Sequence, residues 1–118
     1  MRVLVVEDDF LNAMAMKQTL ESCGVIVVGP VAAEGEALAM VAREGPDAAF
    51  LDINLGSTTS FGIATALGER GVPFAFVTGY ADKPVPAHLQ HAPRLIKPVK
   101  HHELKAVIES FAAGIAGT

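Results

Sequence analysis

Four clusters of polar residues each follow a short apolar run. Glu7-Asp8-Asp9 follows residues 3–6, Asp52-Ile53-Asn54 follows 48–51, Thr78-Gly79-Tyr80 follows 74–77, and Lys97-Pro98 follows 95–96. Together they supply acids, a hydroxyl and a cation. Carboxylates gathered in one place repel each other unless positive charge sits among them. A hard divalent cation with oxygen ligands meets that need, and Mg²⁺ suits one or two carboxylates combined with phosphate oxygens and water. A carboxylate can also attack phosphorus as a nucleophile. Phosphoryl transfer then requires the equatorial oxygens to be held. The cation can take one, the Thr78 hydroxyl with nearby backbone N–H a second, and the Lys97 ammonium a third.

These groups converge only if a fold brings the ends of the apolar runs together. The runs 3–6, 25–28, 48–51, 74–77 and, more weakly, 95–96 are continuously apolar. Strands of a parallel sheet covered on both faces read this way. Helices are expected between them. The first spans 10–22 and stops before Gly24, and the second spans 34–44 with Leu38, Val41 and Ala42 on one face and Gly45-Pro46 after it. The third spans 60–70, groups Phe61, Ala64 and Leu67, and ends at Gly71. Pro84, Pro86 and Pro93 crowd the place of a fourth. The fifth, 100–113, carries Leu104, Val107, Ile108 and Phe111 at helical spacing. The small, Gly-rich tail 112–118 is expected to fray. This is a (βα)₅ order, and right-handed crossovers wind it into one parallel sheet with helices on both faces. In such a sheet the crevice lies beyond the carboxyl ends of the strands, where the four clusters stand.

The 118 residues make one domain. A 51% apolar and 19% charged composition reads as globular. A net charge of -4 without basic runs argues against nucleic acid as a partner. No apolar stretch has the length of a signal peptide or a membrane span, so a soluble cytoplasmic protein is expected. Cys23 is the one cysteine, which rules out an internal disulfide and suits a small, partly buried apolar role. Met14 and Met16 read as helix packing. His88, His91, His101 and His102 lack the cysteine partners of a defined zinc pattern and read as exposed. Asp9 suits the N-cap of the first helix.

The pattern Val-Val-Glu-Asp-Asp, Leu-Asp-Ile-Asn-Leu, Val-Thr-Gly-Tyr and Ile-Lys-Pro, in that order over nearly the whole chain, resembles the response-regulator receiver family. The resemblance implies a flavodoxin-like fold with strand order 2-1-3-4-5. It implies Asp52 as phosphoacceptor, and Mg²⁺ held by Asp8, Asp52, Glu7 through water, and the Asn54 carbonyl. It implies Thr78 and Lys97 on the phosphoryl oxygens, with the bond before Pro98 cis. A sensor histidine kinase or phosphotransfer protein would donate the phosphoryl group. A downstream protein would read the face of the fourth helix, fifth strand and fifth helix, and catalysis would be confined to the domain's own phosphoryl transfer and dephosphorylation. The apolar stripe of the last helix serves a core or a dimer face equally well.

One position departs from that family. Its switch aromatic lies three residues before the lysine, where this chain has Arg94. A guanidinium cannot swing into an apolar slot as a ring does. The Phe-Val-Thr-Gly-Tyr run instead resembles a subgroup of single-domain receivers with a Phe-Ala-Thr-Gly motif (the "FATGUY" group). Gly79 and Tyr80 then join Thr78 in the switch, and residues 79–93 are expected to order on phosphorylation. Two rivals use the same residues. A phosphohydrolase of the haloacid-dehalogenase type wants an acid two residues after its nucleophile, and Asn54 stands there. A receiver that only binds partners would lack an acid or the lysine, and this chain has all of them. Nucleotide binding lacks its glycine fingerprints.

Overall fold

The computed structural model describes residues 1–79 and 83–116. Five parallel strands form one sheet: β1 (Arg2–Val6), β2 (Ile26–Val31), β3 (Ala48–Asp52), β6 (Phe74–Thr78) and β7 (Arg94–Ile96). Their order is β2-β1-β3-β6-β7, the 2-1-3-4-5 arrangement expected of the flavodoxin-like fold. Two short strands, β4 (Asn54–Leu55) and β5 (Thr58–Thr59), pair as a separate antiparallel hairpin directly after β3.

Alternation along the strands splits the core in two, because successive side chains point to opposite faces. Val3, Val5, Phe50 and Val77 meet helices α1 (Phe10–Ser22) and α4 (His101–Ala116) through Met16, Leu20, Leu104, Ile108 and Phe111. Leu4, Leu51 and Phe76 meet α2 (Glu34–Glu44) and α3 (Phe61–Glu69) through Ala37, Val41, Ile63 and Leu67. Covering both faces explains why every residue of β3 is buried. Each large side chain so buried contributes about 1.5–3 kcal/mol. Rings stack in both halves, with Phe50 and Phe111 centroids 6.0 Å apart and Phe61 edge-on to Phe76 at 5.8 Å.

The helices start and stop for local reasons. Asp9 caps α1, its Oδ1 accepting from the Asn12 N–H at 3.0 Å. Gly24, at φ +84°, turns the chain after α1, and Gly45, at φ +55°, ends α2 in the left-handed region. Three expectations need correction. The buried face of α2 is Ala37 and Val41, whereas Leu38 is 37% exposed and Ala42 is exposed. The i, i+4 pair sets the face, and the small Ala37 fits close against the sheet where Leu38 would not. The fourth crossover holds, among its described residues, only a 3₁₀ turn at Ala87–Leu89, since three prolines remove helical hydrogen bonds. The last helix spans His101–Ala116, running past the end expected at 113.

β1 pairs with β2 on one side and β3 on the other, so the strand order reverses between them and opens a crevice at their carboxyl ends. An irregularity in β2 shapes that end. Gly29 adopts φ +93°, and the register shifts so that Val6 pairs with Val31 and the Glu7 N–H donates to Val31 O at 3.0 Å. A Cβ on Gly29 would lie 2.9 Å from Val31 N and 3.2 Å from Val5 O. Backbone atoms cannot move aside as a flexible side chain can. Gly29→Ala is expected to destabilise the fold by about 2–3 kcal/mol, read as a lower midpoint in urea, because both φ and the contact are unfavourable. An unchanged midpoint would contradict this account of β2.

Candidate functional site

Glu7 and Asp52 reach the crevice from the ends of β1 and β3, and both are buried, at 3% and 4% exposure. Lys97 follows β7 and lies between them. Its Nζ is 3.2 Å from Asp52 Oδ1 and 3.2 Å from Glu7 Oε2. Glu7 Oε1 accepts from the Asp9 N–H at 3.0 Å, while Oε2 lies 3.2 Å from the Lys97 ammonium. Asp8 stays exposed at the mouth. The bond between Lys97 and Pro98 is cis.

Two buried carboxylates share one cation, and the imbalance shows in their acidity. Burial, then the neighbouring Glu7 carboxylate, pushes the Asp52 carboxyl up to about 8, with Lys97 opposing. Burial would lower the Lys97 pKa, but Asp52 and Glu7 outweigh it and hold the ammonium above its ordinary value. One carboxylate oxygen from each of Glu7, Asp8 and Asp52 lies within 4.8 Å of the others. An all-oxygen donor set that is short of positive charge fits a hard divalent cation. No histidine joins this cluster.

The site opens into a depression of about 490 Å³, lined by these groups with Asn12, Asn54 and Gly56. Asn54 is half-buried at the start of the hairpin. Asn12 and Gly56 were not anticipated from the sequence. The Leu55-Gly56-Ser57-Thr58 run is the available signal for Gly56, since Gly at the first position of a two-residue loop favours a hairpin. Thr78 ends β6 half-buried, its hydroxyl donates to Gly79 O at 3.2 Å, and it is not among the residues that line the depression. Arg94 is exposed on the edge strand β7, so it fills no apolar slot. Tyr80 lies outside the described residues, as does part of the 79–93 segment. Cys23 is half-buried, with Sγ 3.8 Å from His101 Nε2. Met16 is buried and Met14 half-buried, as helix packing requires.

The family model of the response regulator receiver domain matches residues 3–109. The chain belongs to the response regulator receiver family. Receiver domains are signalling modules that work with histidine kinases, phosphotransfer proteins and downstream partners. The solution structure of SdrG from Sphingomonas melonis Fr1 is 37% identical to this receiver, covering 94% of this chain and 95% of that one at a TM-score of 0.83. The BeF3-activated conformation of SdrG from Pseudomonas melonis Fr1 is 38% identical, covering 92% of each chain at a TM-score of 0.76. An uncharacterized response regulatory protein of Yersinia pestis is 30% identical over 107 residues, which are 88% of this chain and 45% of that protein. The receiver therefore spans less than half the length of that curated relative. Among the described residues, no helix is long and apolar enough to cross a membrane.

Proposed function

We propose that this receiver, as one domain over residues 1–118, is a phosphorylation-controlled switch of a two-component system in the cytoplasm. It accepts a phosphoryl group on Asp52 and signals by protein contact. The observation that carries this reading is the Lys97 ammonium, seated 3.2 Å from both Asp52 and Glu7 at the crevice.

The chemistry follows from the donors. Asp52 must be ionised to act. An oxygen of its carboxylate forms the new bond to phosphorus while the bond from phosphorus to the donor's imidazole nitrogen breaks, its electron pair staying on nitrogen. The histidine of a sensor kinase or phosphotransfer protein is that donor. Glu7, Asp8, Asp52 and the Asn54 carbonyl would hold Mg²⁺, which when bound supplies positive charge to the incoming phosphoryl oxygens and to the crowded carboxylates. Lys97 turns from carboxylates that have lost charge toward the transferred group and holds an oxygen of it. Thr78 leaves Gly79 O to donate to another. With Arg94 on the outside and no ring in that slot, the readout passes through Thr78, Gly79 and Tyr80, as in the Phe-Ala-Thr-Gly subgroup, rather than through a threonine–aromatic pair.

Beryllofluoride tests this without a kinase, and SdrG takes a BeF3-activated conformation. With Mg²⁺ present, beryllofluoride is expected to shift the amide signals of Asp52, Thr78 and Lys97 saturably, and to do nothing to Asp52→Asn. No shift in the wild type would refute the proposal.

A further inference from the structure

Cys23 closes α1 and His101 opens α4, and the fold brings them together across 78 positions of sequence. The Cys23 Sγ lies 3.8 Å from His101 Nε2, and Ser22 Oγ lies 3.4 Å from the same nitrogen. Ser22 donates its one proton to Thr19 O at 2.6 Å, so toward the imidazole it can only accept. Nε2 therefore carries the hydrogen and offers it to two weak partners, a distant hydroxyl and a sulfur. Little is lost when a stronger bond replaces these contacts. Both ligand backbones are held in place. The Cys23 N–H donates to Leu20 O at 3.0 Å. Leu20 and Leu104, each three residues from one of the pair, are buried in the same half of the core. Cys23 is half-buried and His101 exposed, so ions in solution reach both.

We infer that Cys23 Sγ and His101 Nε2 form a two-ligand site for a borderline-soft divalent cation of the zinc class. Donor chemistry gives the first argument. Thiolate and imidazole select such a cation, whereas the hard Mg²⁺ prefers the oxygens of the acidic depression. Geometry gives the second. Bonds of about 2.3 Å to sulfur and 2.1 Å to nitrogen put the two donors about 3.6 Å apart at a tetrahedral angle and about 4.4 Å apart if collinear. The observed 3.8 Å is close to the tetrahedral separation, so both donors reach one ion without moving their helices. On binding, the Cys23 thiol releases its proton to water and the imidazole carries its own on Nδ1, so Sγ and Nε2 each present a lone pair. Among the described residues no third His, Cys, Asp or Glu ligand atom joins these two within 4.8 Å, so water completes the coordination. The site ties the end of α1 to the start of α4. It is independent of the phosphoryl-transfer reading, because neither ligand belongs to the depression at Asp52.

The test is a Zn²⁺ titration of the reduced protein, with excess Mg²⁺ present to occupy the carboxylates. Calorimetry reads the affinity and NMR the location. One ion is expected to bind per chain with half-saturation on the order of 10 μM, well short of a four-ligand structural site. The Cys23 Cβ and His101 ring signals should move together, while those of Glu7 and Asp52 stay in place. Cys23→Ser and His101→Gln should each weaken binding at least about tenfold, and His102→Gln, one position along the same helix, should leave it unchanged. Val41 and Leu67, in the opposite half of the core, keep their wild-type signals as a check on folding. Undiminished binding in His101→Gln would overturn the inference, since the thiol would then be acting alone. So would a loss in His102→Gln equal to that in His101→Gln, shifts confined to the carboxylates, or a Zn²⁺-dependent doubling of mass in sedimentation that Cys23→Ser abolishes, which would place the ion between two copies.

Discussion

Replacing Asp52 by Asn is expected to raise the stability of the metal-free protein by about 2 kcal/mol at pH 8, roughly 8 °C in the unfolding midpoint for a domain of this size. Removing an acid usually weakens a protein in which that acid is paired. Here the acid is held in its protonated form, with its carboxyl pushed from 3.8 to about 8 by burial and by Glu7. Between those two values the folded protein binds a proton that the unfolded chain has released. Stability from this group is therefore full at low pH and falls as the pH rises from about 4 to about 8, after which it is level. The displacement sets a ceiling of about 6 kcal/mol, and the opposing Lys97 ammonium with the open mouth of the site brings the expectation down to about 2. The amide keeps the shape without the charge, so it removes the pH-dependent loss. Thermal unfolding of both proteins from pH 5 to 8 checks this. The gap should widen with pH and shrink when Mg²⁺ is added to the wild type, since a ligand of the folded state stabilises it. A gap independent of pH would contradict the assignment of Asp52 as the strained acid.

Lys97→Met should act in the opposite direction on stability and strongly on chemistry. It removes the cation 3.2 Å from two buried carboxylates. At pH 8 Asp52 would have to ionise without its cation or hold a proton at a cost, and Glu7 would lose its ion pair; breaking a buried pair by deleting one partner is destabilising. With the Lys97 side chain 30% exposed, solvent screening reduces the cost to about 2 kcal/mol. Near pH 5 the protonated Asp52 needs no partner while Glu7 still lacks the ammonium, so the deficit should narrow without vanishing. The Lys97 ammonium itself has a raised pKa, so its own contribution is present throughout this window and is lost only at higher pH. Phosphorylation by acetyl phosphate should slow by about 10²–10³, the effect of removing one preorganised charge from a transferring group. A rate within threefold of wild type would show that Lys97 does not touch the transferred group.

The residues of the candidate site were legible because parallel strands are short apolar runs and polar groups stand at their ends. The bounds of α1 and α2 fell where Asp9, Gly24 and Gly45 place caps and turns. Other features depend on contacts distant in sequence. The β4–β5 hairpin has two residues per strand, too few for any alternation to register. The buried face of α2 turned on Ala37, a residue whose small size is an advantage only against a particular sheet. Glu7 is anchored by Val31, 24 positions away, through the kink at Gly29. The clusters at the strand ends named Glu7, Asp8, Asp52 and Lys97, but nothing local indicated that one ammonium would bridge two carboxylates.

Intact mass after incubation with acetyl phosphate, with and without Mg²⁺, on the wild type and on Asp52→Asn, addresses phosphoryl acceptance directly. The wild type with Mg²⁺ is expected to gain the mass of one phosphoryl group, and to gain nothing without the metal or in the variant. An unmodified wild type, or an adduct that persists in Asp52→Asn, would contradict it.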